Sequence, residues 1–194
     1  MSDKGKHDKN GAEVLSLVKA QKAKEIHADL NLSDEAKKLQ ADDQSPLAYL
    51  DALLDSGLHT DAVTFLAHAM PRREAIWWGC LSVRHAHAER LLPKDVEALH
   101  AALAWVLEPT DTRAKQAKQP ASEAGMTAPG CMAVATTHTT KSAEPRAAAL
   151  SVSAGIKLLV RDDKDDCLRH ILVMGIGIAS GQHSWAAPEK KKRP

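Results

Sequence analysis

The chain has 194 residues, 44% of them hydrophobic, and a net charge of +1, so it is long enough for one domain with a substantial core. Acidic and basic residues are interspersed, and this balance excludes the global positive field that draws a protein to nucleic acid or to an acidic membrane. The longest apolar run, Ile171 to Ala179, has about half the length of a membrane span, and the polar N-terminus is unlike a signal peptide. We expect a cytoplasmic protein without a membrane span or a nucleic-acid partner.

The first half of the chain carries a series of helical signals. Gly11 to Leu30 has the apolar spacing of an amphipathic helix. Ser33 and Ser45 have the position and chemistry of N-caps and mark the next two helix starts. Gly57 is placed to end the helix that follows Ser45, and Thr60 with the following aspartate is predicted to open another.

Helical signals continue in the second half, with one weak region. Pro93 begins a helix, and Thr110 caps a short one that Pro120 must kink or end. Within residues 120–141, Gly125 to Gly130 is predicted to be a loop and Thr136 to Thr140 an irregular connection, while Cys131 to Thr136 also fits a helix. The sequence leaves open whether this region is ordered.

The last two helices are predicted from Glu144 to Val160 and from Asp165 to Ala179. Within them, Ile156 to Val160 and Ile171 to Met174 also fit a pair of buried strands. We favour helices, since the segment between the two runs is long for a hairpin and lacks the glycine of a tight turn.

These signals predict an all-α fold. We expect about eight helices, joined by short connections and stacked as antiparallel pairs in a single domain over residues 11–186. Residues 1–10 are predicted to be a disordered polar tail and residues 187–194 a basic tail.

The segment from Pro71 to Arg84 predicts a central buried helix. Pro71 suits the first helical position, and two adjacent tryptophans about 100° apart indicate packing partners on several sides. Gly79 lowers helix propensity by about 1 kcal/mol, and we expect the backbone of a neighbouring helix to approach it. The predicted core residues are Trp77, Trp78, Cys80, Leu81 and Trp105. Replacing Trp77 with alanine is expected to unfold the domain, at a cost of about 3–5 kcal/mol.

Charged residues of the same segment are the candidate functional residues. They are Arg72, Arg73, Glu74 and Arg84. Arg72 and Arg73 lie in the first turn, where the helix dipole disfavours positive charge. They require acidic partners, either within the fold, such as Glu74, Asp55 or Asp61, or on another protein. These four are therefore predicted to form buried ion pairs or an interaction surface.

The sequence contains no clear motif for catalysis, metal binding or cofactor binding. His85 and His87 point about 200° apart on one helix, so they cannot share an ion. Gly175 to Gly181 has its third glycine one place late for a dinucleotide loop, and Asp162 to Asp166 lacks the glycine and glutamate of an EF-hand. Cys80 lies mid-helix, where burial suppresses thiol reactivity. We predict no catalytic residue, no metal and no cofactor, and hence a protein that is not an enzyme.

The run from Met70 to Cys80, Met-Pro-Arg-Arg-Glu-Ala-Ile-Trp-Trp-Gly-Cys, followed by Arg84, resembles the recurring core of an uncharacterised bacterial family of small helical proteins. Leu103 to Val106, and Gly175 to Gly181 with Trp185, are similar to further parts of that pattern. The resemblance implies an α-helical, non-enzymatic accessory protein, similar to proteins encoded near type VI secretion genes. It assigns no active-site residues.

The leading hypothesis is a helical interaction or adaptor module that binds a protein partner and serves as an accessory of a bacterial secretion system. The alternative is a small-ligand-binding or enzymatic domain with a pocket beside Trp77 and Trp78. A third is a redox-responsive protein that uses Cys80 or Cys131. The sequence leaves the identity of the partner and the oligomeric state open.

Overall fold

The computed structural model describes residues 14–27, 30–87, 91–140, 143–144, 146–160 and 165–182. Within these ranges the protein is all-α and contains no strand, so the predicted fold class is confirmed and the strand alternative is wrong. The helices are α1 (Ala23–His27), α2 (Asp34–Lys38), α3 (Pro46–Asp55), α4 (His59–Ala69), α5 (Arg72–His87), α6 (Pro93–Leu107), α7 (Asp111–Gln116), α8 (Lys118–Ala124), α9 (Ala128–Thr137), α10 (Ala147–Leu159) and α11 (Asp165–Ala179).

The described ranges thus hold eleven helical segments rather than about eight, because two are single short turns and α7 and α8 are separated by one residue. None of these helices is long and apolar enough to cross a membrane. The predicted tails, residues 1–10 and 187–194, lie outside the described residues.

The N-terminal region differs from the amphipathic helix predicted for Gly11 to Leu30. Of the described residues in that range, only α1 is helical, and residues 14–20 form an irregular segment that we call the N-terminal strap. The strap buries Leu15, and the Leu17 backbone N–H donates to the Ala179 carbonyl at 2.9 Å. Its backbone is therefore bonded to the end of α11 in place of a helical ladder.

Local signals placed most helix starts correctly. Ser33, Ser45 and Thr110 cap their helices as predicted, each side-chain oxygen accepting from the backbone N–H three residues later. The start of α4 is an exception, since this helix begins at His59 and not at Thr60.

The described part of residues 120–141 is more regular than predicted, since α8 continues through Pro120 and α9 extends on both sides of the Cys131 to Thr136 helix. Pro120 is the third residue of α8, where the backbone N–H would have had no intrahelical partner, so the helix tolerates it. The threonine-rich run is helical as far as Thr137. Buried Thr136 remains compatible with a helix because its hydroxyl donates to the Ala133 carbonyl at 2.7 Å.

Helix α5 lies within the core and contacts α6, α9, α10 and α11. Trp78 is fully buried, and its indole N–H donates to the Ile171 carbonyl of α11 at 2.8 Å. One turn further along α11 lies Gly175, at which an added Cβ would lie 2.6 Å from Cε2 of Trp78. The indole therefore occupies the space that this glycine leaves on α11.

The other predicted core residues divide into two groups. Cys80 and Trp105 are buried with Trp78, whereas Trp77 and Leu81 are half-buried and pack against the edge of the core cluster. Gly79 is approached by the Met132 side chain of α9, not by a helix backbone as we expected.

Pro71 also occupies a different position from the one predicted. Helix α5 begins at Arg72, and the Pro71 carbonyl accepts from the Ala75 N–H at 3.0 Å. Pro71 is thus the residue that precedes the first turn, and Arg72 is the first helical residue.

Candidate functional site

A groove of about 520 Å³ opens between the N-terminal strap, α1 and the junction of α4 with α5. We call it the α4–α5 groove. Its charged and polar lining consists of Lys19, Glu25, His68, Arg72 and Arg146. Its volume falls within the range of about 300–1,000 Å³ that is usual for binding sites, so it can receive several side chains or a small molecule.

The groove carries an excess of positive charge. Lys19, Arg72 and Arg146 contribute three cations, against the single carboxylate of Glu25. That carboxylate accepts from the backbone N–H groups of Lys22 at 3.2 Å and of Gln21 at 3.4 Å, at the start of α1. Glu25 is the one acidic side chain among the described lining residues and is engaged locally, so the cations Lys19 and Arg72 favour an anionic ligand.

The charge of Arg72 has little compensation among the described residues. It is half-buried, and among the described residues its side chain makes no hydrogen bond or ion pair. It also lies at the N-terminus of α5, where the positive end of the helix dipole repels a cation. A guanidinium in this position gains most from a planar anion such as a carboxylate.

His68, at the end of α4, contributes a neutral ring. Its Nδ1 lies 2.8 Å from the Thr64 carbonyl, and because a carbonyl can only accept, Nδ1 carries the proton. Its Nε2 is buried and has no hydrogen-bond partner among the described residues. Burial lowers the pKa of His68, and the charges of Arg146 and Lys157 lower it further. The bond to Thr64 and the nearby Glu144 act in the opposite direction.

Charged and titratable residues of α4 and α10 influence one another beside the groove. Burial lowers the pKa of Lys157 on α10, and the Asp61 carboxylate at the start of α4 opposes that change. In addition to burial, the charges of Arg146, just before α10, and of Lys157 lower the pKa of His68 at the end of α4.

The structure separates the four predicted functional residues. Arg72 lines the groove, but the Arg73 Nε–H donates at 2.8 Å to the carbonyl of Val106 in the last turn of α6. A cation is favourable at that end of α6, where carbonyls lack intrahelical partners. Glu74 is half-buried, and Arg84 is exposed three turns further along α5. Asp61, proposed as an acidic partner for the arginines, accepts from the Ser33 N–H and hydroxyl at 2.8 and 2.9 Å.

Sequence reasoning missed Lys19, His68 and Arg146. The one available signal was His68, a polar side chain in a helix whose other inner positions are almost all apolar. The convergence of these residues depends on how the strap and the start of α10 pack against α4, and no local pattern encodes that packing.

No observation favours a ligand pocket beside the adjacent tryptophans. The Trp78 indole is in contact with α11, and neither the α4–α5 groove nor a smaller one of about 230 Å³ beside α6 is lined by Trp77 or Trp78. In the smaller groove, Arg113 donates to the Glu108 carboxylate at 3.0 Å. Its guanidinium is thus already paired.

Among the described residues, the thiols and the potential metal ligands form no evident reaction centre. Burial raises the pKa of Cys80 to about 12 and raises that of Cys131, so both remain protonated and poorly nucleophilic at neutral pH. All three cysteines are free. Within the described ranges, no three His, Cys, Asp or Glu side chains are grouped as metal ligands.

The fold and the groove define a small all-α protein whose largest described groove is lined by more basic than acidic side chains. A family model matches residues 49–179, and the chain belongs to that family, a family of unknown function designated DUF6931. No curated protein and no solved structure matches the chain. The matched region supplies His68, Arg72 and Arg146, whereas Lys19 and Glu25 precede it.

Proposed function

We propose that the protein is a cytoplasmic, non-enzymatic adaptor whose α4–α5 groove binds an acidic segment of a protein partner. The observation that carries this proposal is the convergence of Lys19 and Arg72 on one groove, which Arg146 also lines. Charge complementarity of this kind steers association and excludes partners of the wrong charge.

The local environment of Arg72 defines the ligand chemistry. Its half-buried position and the adjacent helix N-terminus mean that a bound carboxylate gains from both the guanidinium and the dipole. The aliphatic part of the ligand's acidic side chain would contact the neutral ring of His68 and the apolar lining from Leu17, Ile26 and Met70. An aspartate or glutamate flanked by apolar residues fits this combination.

The non-enzymatic part of the proposal is supported by the state of the potential reactive groups. Cys80 and Cys131 are buried with raised pKa values. The one ring in the groove, His68, has its Nε2 enclosed and does not adjoin a nucleophile among the groove residues.

The test measures binding of a fluorescein-labelled acidic peptide, rich in glutamate and leucine, by fluorescence anisotropy. Arg72→Gln keeps a polar side chain and removes the charge, and we expect it to weaken binding about tenfold, the loss of one charge-assisted hydrogen bond. Arg169→Gln is the matched control, because Arg169 is exposed on α11 and outside the groove. Binding should also weaken as salt is raised.

An unchanged affinity in Arg72→Gln would contradict the groove assignment, as would an equal loss in Arg169→Gln. Circular dichroism melts of the variants establish that both remain folded.

The resemblance to proteins encoded near type VI secretion genes supports a more specific proposal, that the partner is a component of that machinery. Co-precipitation from cells with an active secretion system should recover such a component with the wild-type chain and less of it with Arg72→Gln. Recovery that does not depend on Arg72, or a turnover found in an activity screen without any partner, would count against it.

A further inference from the structure

Two histidines from different helices meet on the surface, far along α5 from the groove. His85 lies in the last turn of α5 and His170 in the second turn of α11. Their ring centroids are 6.1 Å apart, with the planes inclined by 41°, and both side chains are exposed. The pairing was not evident from sequence, where His85 and His87 are the histidines that invite a metal interpretation.

The hydrogen bonding of His170 leaves one ring nitrogen available to a ligand. Its Nδ1 lies 2.8 Å from the Asp166 carbonyl, and since that oxygen can only accept, Nδ1 carries the proton in the neutral ring. The Nε2 lone pair is then free for coordination. Metal-binding histidines are typically held in this way, by a hydrogen bond from the second nitrogen to a carbonyl or carboxylate.

The separation of the rings suits one shared ion. With a metal–nitrogen distance of about 2.0–2.1 Å, each ring centroid lies about 3.2 Å from the ion, so two rings are at most about 6.4 Å apart and about 5.2 Å apart in a tetrahedral site. The observed 6.1 Å lies between these limits. Because both side chains are exposed, rotation about their own torsions can adjust the angle without moving a helix.

We propose that His85 and His170 form a two-imidazole site for a divalent transition-metal ion such as Cu²⁺ or Zn²⁺, which links the end of α5 to the start of α11. No third protein ligand is grouped with them among the described residues; water is able to fill the remaining coordination positions. Imidazole ligands select these ions over Mg²⁺ and Ca²⁺, which prefer oxygen. The site is independent of the α4–α5 groove.

The experiment is an isothermal titration of the tag-free full chain with Cu²⁺ and Zn²⁺, with Mg²⁺ as the hard-ion comparison. We expect one ion per chain at this site, an affinity that falls as the pH is lowered because protonated imidazole cannot bind, and no Mg²⁺ binding. His85→Ala and His170→Ala should each weaken Cu²⁺ binding at least tenfold, since even changes in the groups around metal ligands cost about 10–100-fold.

His100→Ala provides the control, because His100 is another exposed histidine, located on α6. Electron paramagnetic resonance of the Cu²⁺ form gives a second readout, with two nitrogen ligands expected in the wild type and fewer in either variant. The proposal is overturned if the double variant His85→Ala/His170→Ala binds Cu²⁺ as tightly as the wild type, or if His100→Ala loses as much affinity.

Discussion

Replacing Trp78 with alanine tests the central packing feature of the fold. The indole is fully buried between α5 and α11, above Gly175, and its N–H is bonded to the Ile171 carbonyl. The substitution therefore removes a large apolar group, leaves a cavity that the rigid α11 glycine cannot fill, and deletes one buried hydrogen bond.

The magnitude follows from the buried area. A tryptophan buries about 150–250 Å², which at about 25 cal/mol per Å² corresponds to about 4–6 kcal/mol. Measured tryptophan-to-alanine changes in cores are about 3–5 kcal/mol, so we expect the free energy of unfolding to fall by about 4–5 kcal/mol. For a chain of this size that corresponds to a Tm lower by about 10–20 °C. Because Trp77 is only half-buried, we expect Trp77→Ala to lower the free energy of unfolding by only about 2 kcal/mol. The tryptophan that contributes most to the stability of the core is therefore Trp78, whereas the sequence had led us to expect Trp77.

The assay is urea and thermal unfolding followed by circular dichroism at 222 nm, because removal of a tryptophan changes the fluorescence signal itself. Trp78→Phe separates the two contributions, since it keeps most of the volume and loses the N–H, at about 1–2 kcal/mol. The reasoning is refuted if Trp78→Ala melts within a few degrees of the wild type, or if Trp77→Ala is the more destabilising of the two.

Three further predictions concern packing and titration. Gly175→Ala should lower stability by about 1–3 kcal/mol despite alanine's better helix propensity, because the new methyl would meet Trp78 and Leu66 at 2.6 and 2.8 Å; an unchanged or raised Tm would contradict the packing. Because burial lowers the pKa of His68 in the folded protein, the unfolded state binds the proton more tightly, so stability should fall as the pH drops below about 6.5. His68→Gln should reduce this dependence of stability on pH. If the free energy of unfolding changes equally with pH between pH 5 and 7.5 in the variant and the wild type, His68 is not its source. Cys80, whose pKa burial raises to about 12, should resist a thiol reagent at pH 8 until urea unfolds the chain; rapid labelling of Cys80 in the native protein would show that its environment is open.

The elements that sequence predicted well are those with a strong local cause. Helix α11 ends in a glycine C-cap. Gly181 has φ +75°, and the Gly181 and Gln182 N–H groups donate to the carbonyls of Ile178 and Gly177, respectively. This is the usual pattern of a helix that ends at a glycine. Ser33 and Ser45 are likewise local caps. The strap failed as a prediction because its apolar spacing is helical, yet its backbone bonds to the distant end of α11.

The groove was predictable only in part. Arg72 was singled out because a cation at a helix N-terminus requires compensation, a local argument that the structure leaves intact. Lys19 and Arg146 reach the same groove from chain segments far apart in sequence, and a single sequence contains no record of that proximity. The pairing of His85 with His170 escaped prediction for the same reason, since it depends on how α5 crosses α11.

The N-terminal strap forms one wall of the groove and is attached to the helical bundle by few bonds, among them those from the Leu17 N–H and the Ser16 hydroxyl to the end of α11. A segment held in this way opens at a lower free energy than the bundle unfolds. Amide hydrogen exchange at Leu17 should accordingly be faster than in the middle of α5, and a ligand that bridges Lys19 and Arg72 should slow it. If the groove binds as proposed, its wall is only as stable as the strap, and ligand binding should be thermodynamically coupled to ordering of the strap.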